Sequence, residues 1–303
     1  MADKIYHFLC AEDQVQVCAI SGKELVTEAR RIHDLSRVAT AALGRQLMMT
    51  SMMGSKLKND TDLVSTIIKG ENGYAGTMVC TAYQDGGVKG CVQDATVELP
   101  PRENGKLDVA GYVGSTGKLT VVRDMGRGDP YVGVCNLVSG EIAMDFAEYY
   151  TVSEQTPSLV YLGVRLDAGT GNVRSAAGLM AQPLPGCDEN VIQGISDLSE
   201  RISKLSFILD GGEDLLKAVN DLFGAYSPRV VEEFTPEYRC DCSRERIARA
   251  LVSVGREELE DMIQKDHGAE VNCHFCNKTY AFNEEELKEL LAAATAKDER
   301  KDS

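Results

Sequence analysis

The sequence predicts an α+β fold in three parts: an N-terminal domain of antiparallel strands packed with helices, a helical linker, and a small C-terminal four-cysteine domain. Three observations predict it. Apolar residues recur at helical spacing early in the chain, short β-rich runs follow them, and two close cysteine pairs lie near the end. The predicted boundaries are 1–186 for the first domain, 187–239 for the linker and 240–303 for the last domain.

The first predicted helical segment lies between residues 25 and 57, where apolar residues repeat every three or four positions. They are Leu25, Ala29, Ile32, Leu35, Ala39, Leu43 and Leu47. This spacing predicts one long helix or a pair of helices. From Thr77 to Leu137, short β-rich runs alternate with glycine-containing turns, which predicts a meander of antiparallel strands. The runs are TMVCTAY, DGGVKG, LDVAGYV, STGKLTVVRD and DPYVGVCNLV.

The remaining elements of the first domain follow the meander. We expect a helix over Glu141–Tyr150, a buried strand over Ser158–Leu166 and turns over Asp167–Asn172. The sequence QPLPG, Gln182–Gly186, ends this pattern, because proline and glycine interrupt regular structure. It therefore marks the predicted end of the domain.

The predicted linker contains two amphipathic helices joined by a hinge at Gly211–Gly212. The apolar positions of the first are Val191, Ile195, Leu198, Ile202, Leu205 and Leu209, and those of the second are Leu215, Leu216, Val219, Leu222 and Phe223. Two interpretations remain open at this point. The helices are either a permanent part of the core, or a segment docked by one face that is able to come off.

The C-terminal segment from Cys240 is short and has little apolar material, so we expect a covalent or metal staple to support it. The sequences RERIARALVSVG and REELEDMI predict two short helices between the cysteine pairs. A capped helix is predicted from Asn283 to Leu291, with acidic residues in its first turn, and fraying is expected after Ala292.

The two cysteine pairs are the strongest chemical signal in the sequence. Cys240 and Cys242 form a Cys-x-Cys, and Cys273 and Cys276 form a Cys-x-x-Cys. Four thiolates in two close pairs match tetrahedral zinc, so we predict one zinc ion on these residues in the reduced state. The nearby histidines, His267 and His274, are not expected to be ligands, because four sulfurs already fill the coordination shell.

The function of such a site is open on spacing alone. An inert structural staple is one interpretation and a redox switch is the other, because zinc holds the sulfurs as thiolates and oxidants attack thiolates. Each close pair is also able to form an internal disulfide, which expels the metal. Structural zinc contributes about 10–16 kcal/mol to the folding of small peptides, so its loss is expected to unfold the tail.

The other six cysteines show no ligand spacing, and we expect them to be buried free thiols. They are Cys10, Cys18, Cys80, Cys91, Cys135 and Cys187. The sequence GYVGSTGK lacks the residues required of a phosphate-binding loop, because Leu119 follows Lys118 where serine or threonine is needed. His33 is expected to be a surface residue with no nucleophile beside it. The sequence therefore predicts no catalytic site and no enzyme.

The charge of the chain limits its partners. The formal net charge is -15 and the sequence pI is near 4.8, which argues against nucleic acid or an anionic membrane as the main partner. The N-terminus does not resemble a signal peptide, and no apolar run approaches the ~18 residues of a membrane span. We therefore expect a cytoplasmic protein whose cysteines are mostly reduced or bound to metal.

Seven segments carry a family resemblance. They are ALGRQLMMTSMMGSKLK (42–58), GGVKGCV (86–92), VGSTGKLTVVRDMG (113–126), YVGVCNLVSGEIAMDFAEYYTVSEQTPS (131–158), AQPLPG (181–186), CDCSRER (240–246) and CHFCNKTYAF (273–282). Along nearly its whole length the chain resembles the redox-regulated 33 kDa heat-shock chaperones of bacteria and some organelles. The Cys-x-Cys followed by Ser-Arg-Glu-Arg, and the later Cys-x-x-Cys with an aromatic residue inside, are highly specific for that family.

The resemblance implies a holdase chaperone that uses no ATP. It implies that Cys240, Cys242, Cys273 and Cys276 hold zinc in a reduced, inactive protein. It further implies that oxidant and heat pair Cys240 with Cys242 and Cys273 with Cys276, that zinc leaves, and that the tail and linker unfold. The protein is then expected to form a homodimer and to bind unfolding client proteins.

Two other functions are consistent with the cysteine pattern. A thiol–disulfide oxidoreductase needs a Cys-x-x-Cys at a helix N-terminus in a thioredoxin-like unit, which the surrounding sequence does not suggest. A constitutive zinc-stapled interaction module needs only the metal. The first predicts turnover in insulin reduction, and the second predicts that peroxide leaves activity unchanged or abolishes it.

Overall fold

The computed structural model describes the backbone of residues 2–298 and the side chains of residues 2–292. The chain forms two compact units, Met1–Arg239 and Cys240–Ser303. Both combine helices with antiparallel strands, which confirms the predicted α+β class. Residues 187–239 belong to the first unit in this structure. That they act as a linker separate from residues 1–186 stays a prediction.

The first unit is built on two five-stranded antiparallel sheets. Its strands are β1 (Ile5–Cys10), β2 (Val15–Ser21), β3 (Leu63–Glu71), β4 (Thr77–Tyr83), β5 (Val88–Val92), β6 (Thr116–Asp124), β7 (Tyr131–Asn136), β8 (Leu159–Leu166), β9 (Val173–Pro183) and β10 (Arg229–Phe234). The first sheet has the order β10-β1-β2-β9-β8 and the second has the order β5-β4-β3-β6-β7. The second sheet contains the predicted meander, while β1, β2, β3, β9 and β10 were not predicted, and β10 lies within the predicted helical linker.

The first unit also contains eight α-helices and one 3-10 helix, Gly224–Tyr226, within the described residues. The α-helices are α1 (Lys23–His33), α2 (Arg37–Gly54), α3 (Val109–Val113), α4 (Ala143–Val152), α5 (Glu189–Asp197), α6 (Ser199–Ile202), α7 (Leu205–Asp210) and α8 (Leu215–Phe223). The early periodic segment is therefore a helix pair. Asp34 ends α1 in the left-handed conformation, and the Ser36 hydroxyl caps α2 by accepting the Ala39 N–H at 3.1 Å.

The central element of the first unit is α2, which contacts strands of both sheets. From Val38 to Gly54 all of its residues except Arg45 are buried. At Gly54 the helix approaches β4 so closely that an added Cβ would lie 2.6 Å from the carbonyl oxygen of Tyr83. A helix that is buried on all sides fixes both sheets around one core.

One predicted strand is a helix. The run LDVAGYV contains the five-residue α3, because the carboxylate of Asp108 accepts the N–H of Gly111 at 3.0 Å and starts a helical turn. The other strand runs of the meander, the helix α4 and the strand β8 are confirmed. The middle of β8 is buried at Leu162 and Gly163, and its remaining residues are half-buried.

The predicted linker is more divided than its apolar spacing indicated. The first predicted helix is three short helices, α5 to α7, with breaks at Leu198 and Ser203–Lys204. The break at Gly211–Gly212 before α8 is confirmed. These helices pack against the face of the first sheet that is turned away from α2. The apolar residues they bury there are Ile195, Ile202, Leu205, Leu215, Val219, Leu222 and Phe223.

The second unit consists of three helices and one hairpin within the described residues. Its elements are α9 (Arg244–Ser253), α10 (Arg256–Asp261), a π-helical turn (Met262–Asp266), β11 (Gly268–Asn272), β12 (Thr279–Asn283) and α11 (Glu284–Asp298). The two predicted helices are α9 and α10, whereas the hairpin β11–β12 was not predicted.

The last helix begins where the sequence predicts and ends later. The Asn283 side chain accepts the backbone N–H of Glu286, and the Glu286 carboxylate accepts the backbone N–H of Asn283, both at 2.9 Å. These two reciprocal hydrogen bonds form a capping box at the N-terminus of α11. The helix runs to Asp298 instead of Leu291, and residues 299–303 lie outside the described part of the chain. No helix within the described residues is long and apolar enough to span a membrane.

We predict that α4 depends on the carboxylate of Asp145. This fully buried side chain accepts backbone N–H groups from Val138 (2.8 Å), Ser139 (2.9 Å) and Ile142 (2.9 Å). An orphaned buried donor costs about 1–3 kcal/mol, so Asp145→Ala is expected to lose about 3 kcal/mol or more of unfolding free energy. Urea unfolding followed by circular dichroism measures the loss.

The matched variant is Asp145→Asn, which keeps one acceptor oxygen. Its loss is expected to fall between those of the wild type and the alanine variant. A loss below about 1 kcal/mol for Asp145→Ala, within the range of an ordinary hydrogen bond, would contradict the role given to the carboxylate.

Candidate metal centre

The structure brings the four predicted cysteine sulfurs together in the second unit. All four Sγ atoms lie within 4.8 Å of one another. The Sγ atoms of Cys240 and Cys273 are 3.7 Å apart, and those of Cys242 and Cys276 are 3.3 Å apart. Around a tetrahedral zinc with Zn–S bonds near 2.3 Å, sulfurs are separated by about 3.8 Å. The donor set and its spacing therefore fit a tetrahedral thiophilic metal.

The first pair lies directly before α9, in a segment without regular secondary structure. One residue separates Cys240 from Cys242, and both sulfurs lie in the cluster. The segment ends at Ser243, whose hydroxyl accepts the N–H of Arg246 at 3.3 Å and caps α9.

The second pair occupies the turn of the hairpin β11–β12. The Cys273 carbonyl accepts the N–H groups of Cys276 (3.3 Å) and Asn277 (2.8 Å), and its own N–H donates to the Lys278 carbonyl at 3.0 Å. Asn277 adopts the left-handed conformation with φ 58°, which asparagine tolerates better than most residues. This tight turn brings the two sulfurs to one side of the hairpin.

Hydrogen-bond donors surround the sulfurs. The backbone N–H of Cys242 donates to the Cys240 sulfur, and the N–H of Lys278 donates to the Cys276 sulfur. The hydroxyl of Tyr280 on β12 lies 3.1 Å from the Cys242 sulfur. Cys273 is buried and the other three are half-buried. Donors of this kind stabilise thiolates in a site that is partly shielded from water.

The thiols of the cluster differ in acidity. Burial raises the pKa of Cys240 and of Cys276. Burial also opposes ionisation of Cys242, but hydrogen bonds from Tyr280 and the neighbouring thiols outweigh it and lower the pKa of Cys242 to about 7. The bond to Cys242 raises the pKa of Tyr280, so its hydroxyl stays protonated.

The remaining thiols lie outside the cluster. Cys10, Cys18, Cys80 and Cys135 are buried free thiols, as predicted, whereas Cys91 and Cys187 are half-buried. Burial raises the pKa of Cys10 and of Cys18 to about 12, so these thiols are poor nucleophiles at neutral pH.

The histidines singled out in the sequence are not part of the cluster. His267 and His274 are both exposed, as expected of residues that are not ligands. His33 is half-buried in the first unit, with Nε2 2.9 Å from the Tyr238 hydroxyl. His33 is therefore partly shielded at the surface, and the edge of one ring meets the other, with the ring centres of His33 and Tyr238 6.1 Å apart. The residue that sequence reasoning missed is Tyr280, which only the hairpin brings to Cys242.

Known proteins with similar sequences decide the family. A profile of the family described as Hsp33 protein matches residues 3–283. The chain belongs to the Hsp33 family. A 33 kDa chaperonin of Clostridium botulinum (strain Hall) is 40% identical over 291 residues, which cover 96% of this chain and 98% of that protein. A 33 kDa chaperonin of Clostridium perfringens (strain SM101) is 41% identical over 292 residues, covering 96% and 92%.

A solved structure supports the same assignment. The crystal structure of the 33 kDa chaperonin (heat shock protein 33 homolog) of Thermotoga maritima matches this chain with a TM-score of 0.85 and 36% identity. The match covers 98% of this chain and 100% of the Thermotoga chain. The family resemblance found in the sequence is thus confirmed along nearly the full length of the protein.

We predict that the four sulfurs act as one metal site. Reduced wild-type protein is expected to bind one zinc ion per chain, and Cys276→Ser is expected to bind it far more weakly, because a serine hydroxyl replaces a thiolate ligand. The loss is expected to exceed the roughly 10–100-fold that removal of an outer hydrogen-bond partner causes. Competition with a chromogenic chelator measures both affinities.

The control is Cys187→Ser, which removes a half-buried thiol of the first unit. Its zinc affinity is expected to equal that of the wild type. Equal affinities for Cys276→Ser and the wild type would show that the four sulfurs do not form the site.

Proposed function

We propose that the protein is a redox-regulated, ATP-independent holdase chaperone. In its reduced form it holds one zinc on Cys240, Cys242, Cys273 and Cys276 and is inactive. Oxidation forms disulfides, releases zinc, and unfolds the second unit and the linker. The activated protein binds unfolding proteins and prevents their aggregation. The observation that carries the proposal is the convergence of the four sulfurs within 4.8 Å in a unit with a small apolar core.

The size of that core supports dependence on the metal. The fully packed apolar side chains of the second unit, besides Cys273, are Leu251, Leu259, Ile263, Tyr280, Phe282 and Leu287. A whole domain is stable by about 5–15 kcal/mol, and structural zinc in small peptides contributes about 10–16 kcal/mol. Removal of the metal is therefore expected to leave this unit without enough stabilisation to stay folded.

The oxidative step follows from thiolate chemistry. When peroxide converts two thiolates into one disulfide, two electrons pass to the peroxide, which takes up two protons and leaves as two water molecules. Zinc loses both ligands. As the family resemblance implies, we propose that Cys240 pairs with Cys242 and Cys273 with Cys276. Each disulfide therefore joins the two cysteines of one sequence pair.

Release of the linker would uncover apolar surface on the domain of residues 1–186. In the folded protein, α5 to α8 bury their apolar faces on the first sheet. Release of residues 187–239 would expose these faces together with the sheet beneath them, and exposed apolar patches of this kind bind other proteins. We assign client binding and dimerisation to the domain of residues 1–186, and the switch to the segments that follow it.

The expected partners and location follow from this function. Clients are unfolded or partly unfolded proteins, and the oxidised form is a homodimer in the cytoplasm. The net charge of -15 keeps a protein soluble while it exposes apolar surface, and it disfavours nucleic acid and anionic membranes as partners. The protein is not an enzyme in this proposal.

The alternative functions are less well supported. A thioredoxin-like oxidoreductase needs its Cys-x-x-Cys at a helix N-terminus, whereas Cys273 and Cys276 lie in the turn of a β-hairpin. A constitutive zinc-stapled module shares the same sulfur geometry. It differs from the proposed switch in its response to oxidant, which an activity assay distinguishes.

We predict that only the oxidised protein suppresses aggregation. Light scattering of a heat-unfolded client is measured after pretreatment with peroxide at raised temperature, or with reductant and zinc. Suppression is expected from the oxidised sample, with parallel zinc release measured by a chromogenic chelator. Equal suppression by both samples, or by neither, would contradict the proposed switch.

Polar contacts also hold the linker on the first sheet, and one of them, at Asp210, can be tested by mutation. The carboxylate of Asp210 at the end of α7 is 12% exposed and accepts hydrogen bonds from Arg165 Nε (3.1 Å) on β8 and Arg174 Nε (3.0 Å) on β9. One turn earlier, the Ser206 carbonyl accepts the Ser175 hydroxyl at 2.6 Å. These contacts fix the position of α7 on the sheet, because a hydrogen bond forms only at a defined distance and angle between donor and acceptor.

We predict that Asp210→Asn lowers the temperature at which the linker leaves the sheet. Hydrogen bonds to charged groups contribute about 1.5–3 kcal/mol, so docking is expected to weaken by about that amount. Limited proteolysis within residues 187–223 at increasing temperature measures release. Glu200→Gln is the control, because in the described part of the chain the Glu200 carboxylate pairs with the exposed Lys204 at 3.2 Å and not with the sheet. Equal cleavage of the two variants would contradict the role of Asp210.

A further inference from the structure

The sulfur of Cys242 has a side-chain hydrogen-bond donor. The Tyr280 hydroxyl lies 3.1 Å from it. By contrast, the Cys240 sulfur accepts the backbone N–H of Cys242, and the Cys276 sulfur accepts that of Lys278. Backbone donors are present whatever the side chain, but the donor to Cys242 depends on the identity of residue 280.

The fold holds Tyr280 rigidly in this position. It lies on β12 opposite Val271 of β11, and the residue is only 6% exposed. The ammonium group of Lys278 lies 5.3 Å from the centre of its ring. A phenol ring has few rotatable bonds, and strand pairing fixes its backbone. The hydroxyl is therefore aimed at the sulfur cluster by the hairpin that carries Cys273 and Cys276.

The hydroxyl has one proton and two acceptors within reach. The second acceptor is the carbonyl oxygen of Cys242, at 3.2 Å. A metal-bound sulfur is a thiolate, and hydrogen bonds to ionised acceptors are about twice as strong as those between neutral groups. In the metal-bound site the proton is thus directed to the sulfur. Such a bond restricts the orientation of the ligand and stabilises its charge.

We propose that Tyr280 is a positioning residue of the four-cysteine site: its hydroxyl donates to the Cys242 sulfur and holds that sulfur in place as a ligand for a thiophilic divalent metal. This inference rests on the proposed zinc binding. It assigns to the hairpin a second task beyond presenting Cys273 and Cys276, because the same hairpin also orients a ligand from the other cysteine pair.

The direct test is Tyr280→Phe, which removes the hydroxyl and keeps the ring. Zinc affinity of the reduced full-length protein, measured by chelator competition, is expected to fall about 10–100-fold, as for other partners of metal ligands. We expect the lower affinity to come from faster dissociation of zinc, measured as its release to excess chelator. The rate of zinc binding is expected to stay the same. Tyr131→Phe is the control, because it removes the hydroxyl of an exposed tyrosine in the first unit, and its zinc affinity is expected to match that of the wild type.

The outcomes separate this inference from the proposed function. If the wild type binds one zinc and Tyr280→Phe binds it as tightly, the role of Tyr280 is overturned while the zinc site stands. If Tyr131→Phe loses as much affinity as Tyr280→Phe, the effect is not specific to the hydroxyl beside Cys242, and the role of Tyr280 is also overturned. If the wild type binds no zinc, both fail.

A second measurement needs no variant and covers the case in which Tyr280→Phe does not fold. The wild-type protein is loaded with ¹¹³Cd, which substitutes for zinc at thiolate sites. A hydrogen bond from Tyr280 to the Cys242 sulfur is expected to give a slowly exchanging hydroxyl proton with a scalar coupling to the cadmium. A hydroxyl proton of Tyr280 that exchanges rapidly and shows no such coupling would overturn the proposal.

Discussion

The main physical constraint on the second unit is the repulsion between four sulfurs that the fold brings close together. This repulsion must be relieved for the unit to stay folded. All four lie within 4.8 Å of one another, and two unit charges about 4 Å apart near a protein surface repel by about 4 kcal/mol. The cluster is stable only if the sulfurs keep their protons, share a cation or form covalent bonds with each other. These three states require different positions of the sulfurs and therefore different conformations of the chain around them. We therefore infer that the chemical state of the sulfurs is coupled to the folding of the unit, as metal binding and folding are coupled in other small cysteine-rich domains.

The first unit is stabilised in a different way. Its helix α2 is buried against both sheets in a large apolar core. The helices α5 to α8 are short, divided by several breaks and attached to one face of the first sheet. Short helices have little stability of their own and rely on packing, so this segment is the part of the first unit best suited to come off without loss of the core. After α8 the chain forms the edge strand β10, and residues 237–239 then pair with Val88 of β5 directly before Cys240.

Much of this organisation could be predicted from the sequence because it depends on periodicity and spacing. Helical spacing identified the segment of α2, alternating runs identified the meander, and the two cysteine pairs identified the sulfur cluster. Local details could not be predicted in that way. The run LDVAGYV has strand composition, but one cap at Asp108 makes it helical. The breaks that divide the linker leave its apolar periodicity intact, so spacing alone shows one helix. Tyr280 reaches Cys242 only because the register of the hairpin places it there, and that register is a property of the folded chain.

The central claim is that the sulfur cluster controls the folding of the chain beyond residue 186. Hydrogen exchange on the full-length protein, read by mass spectrometry, tests it most directly by comparing the zinc-loaded protein with protein oxidised by peroxide. Amides of residues 240–298 and of residues 187–234 are expected to lose protection on oxidation, while those of α2 and the second sheet keep it. Unchanged protection in residues 240–298 after zinc has left would show that the second unit folds without its metal, and the claim would be wrong.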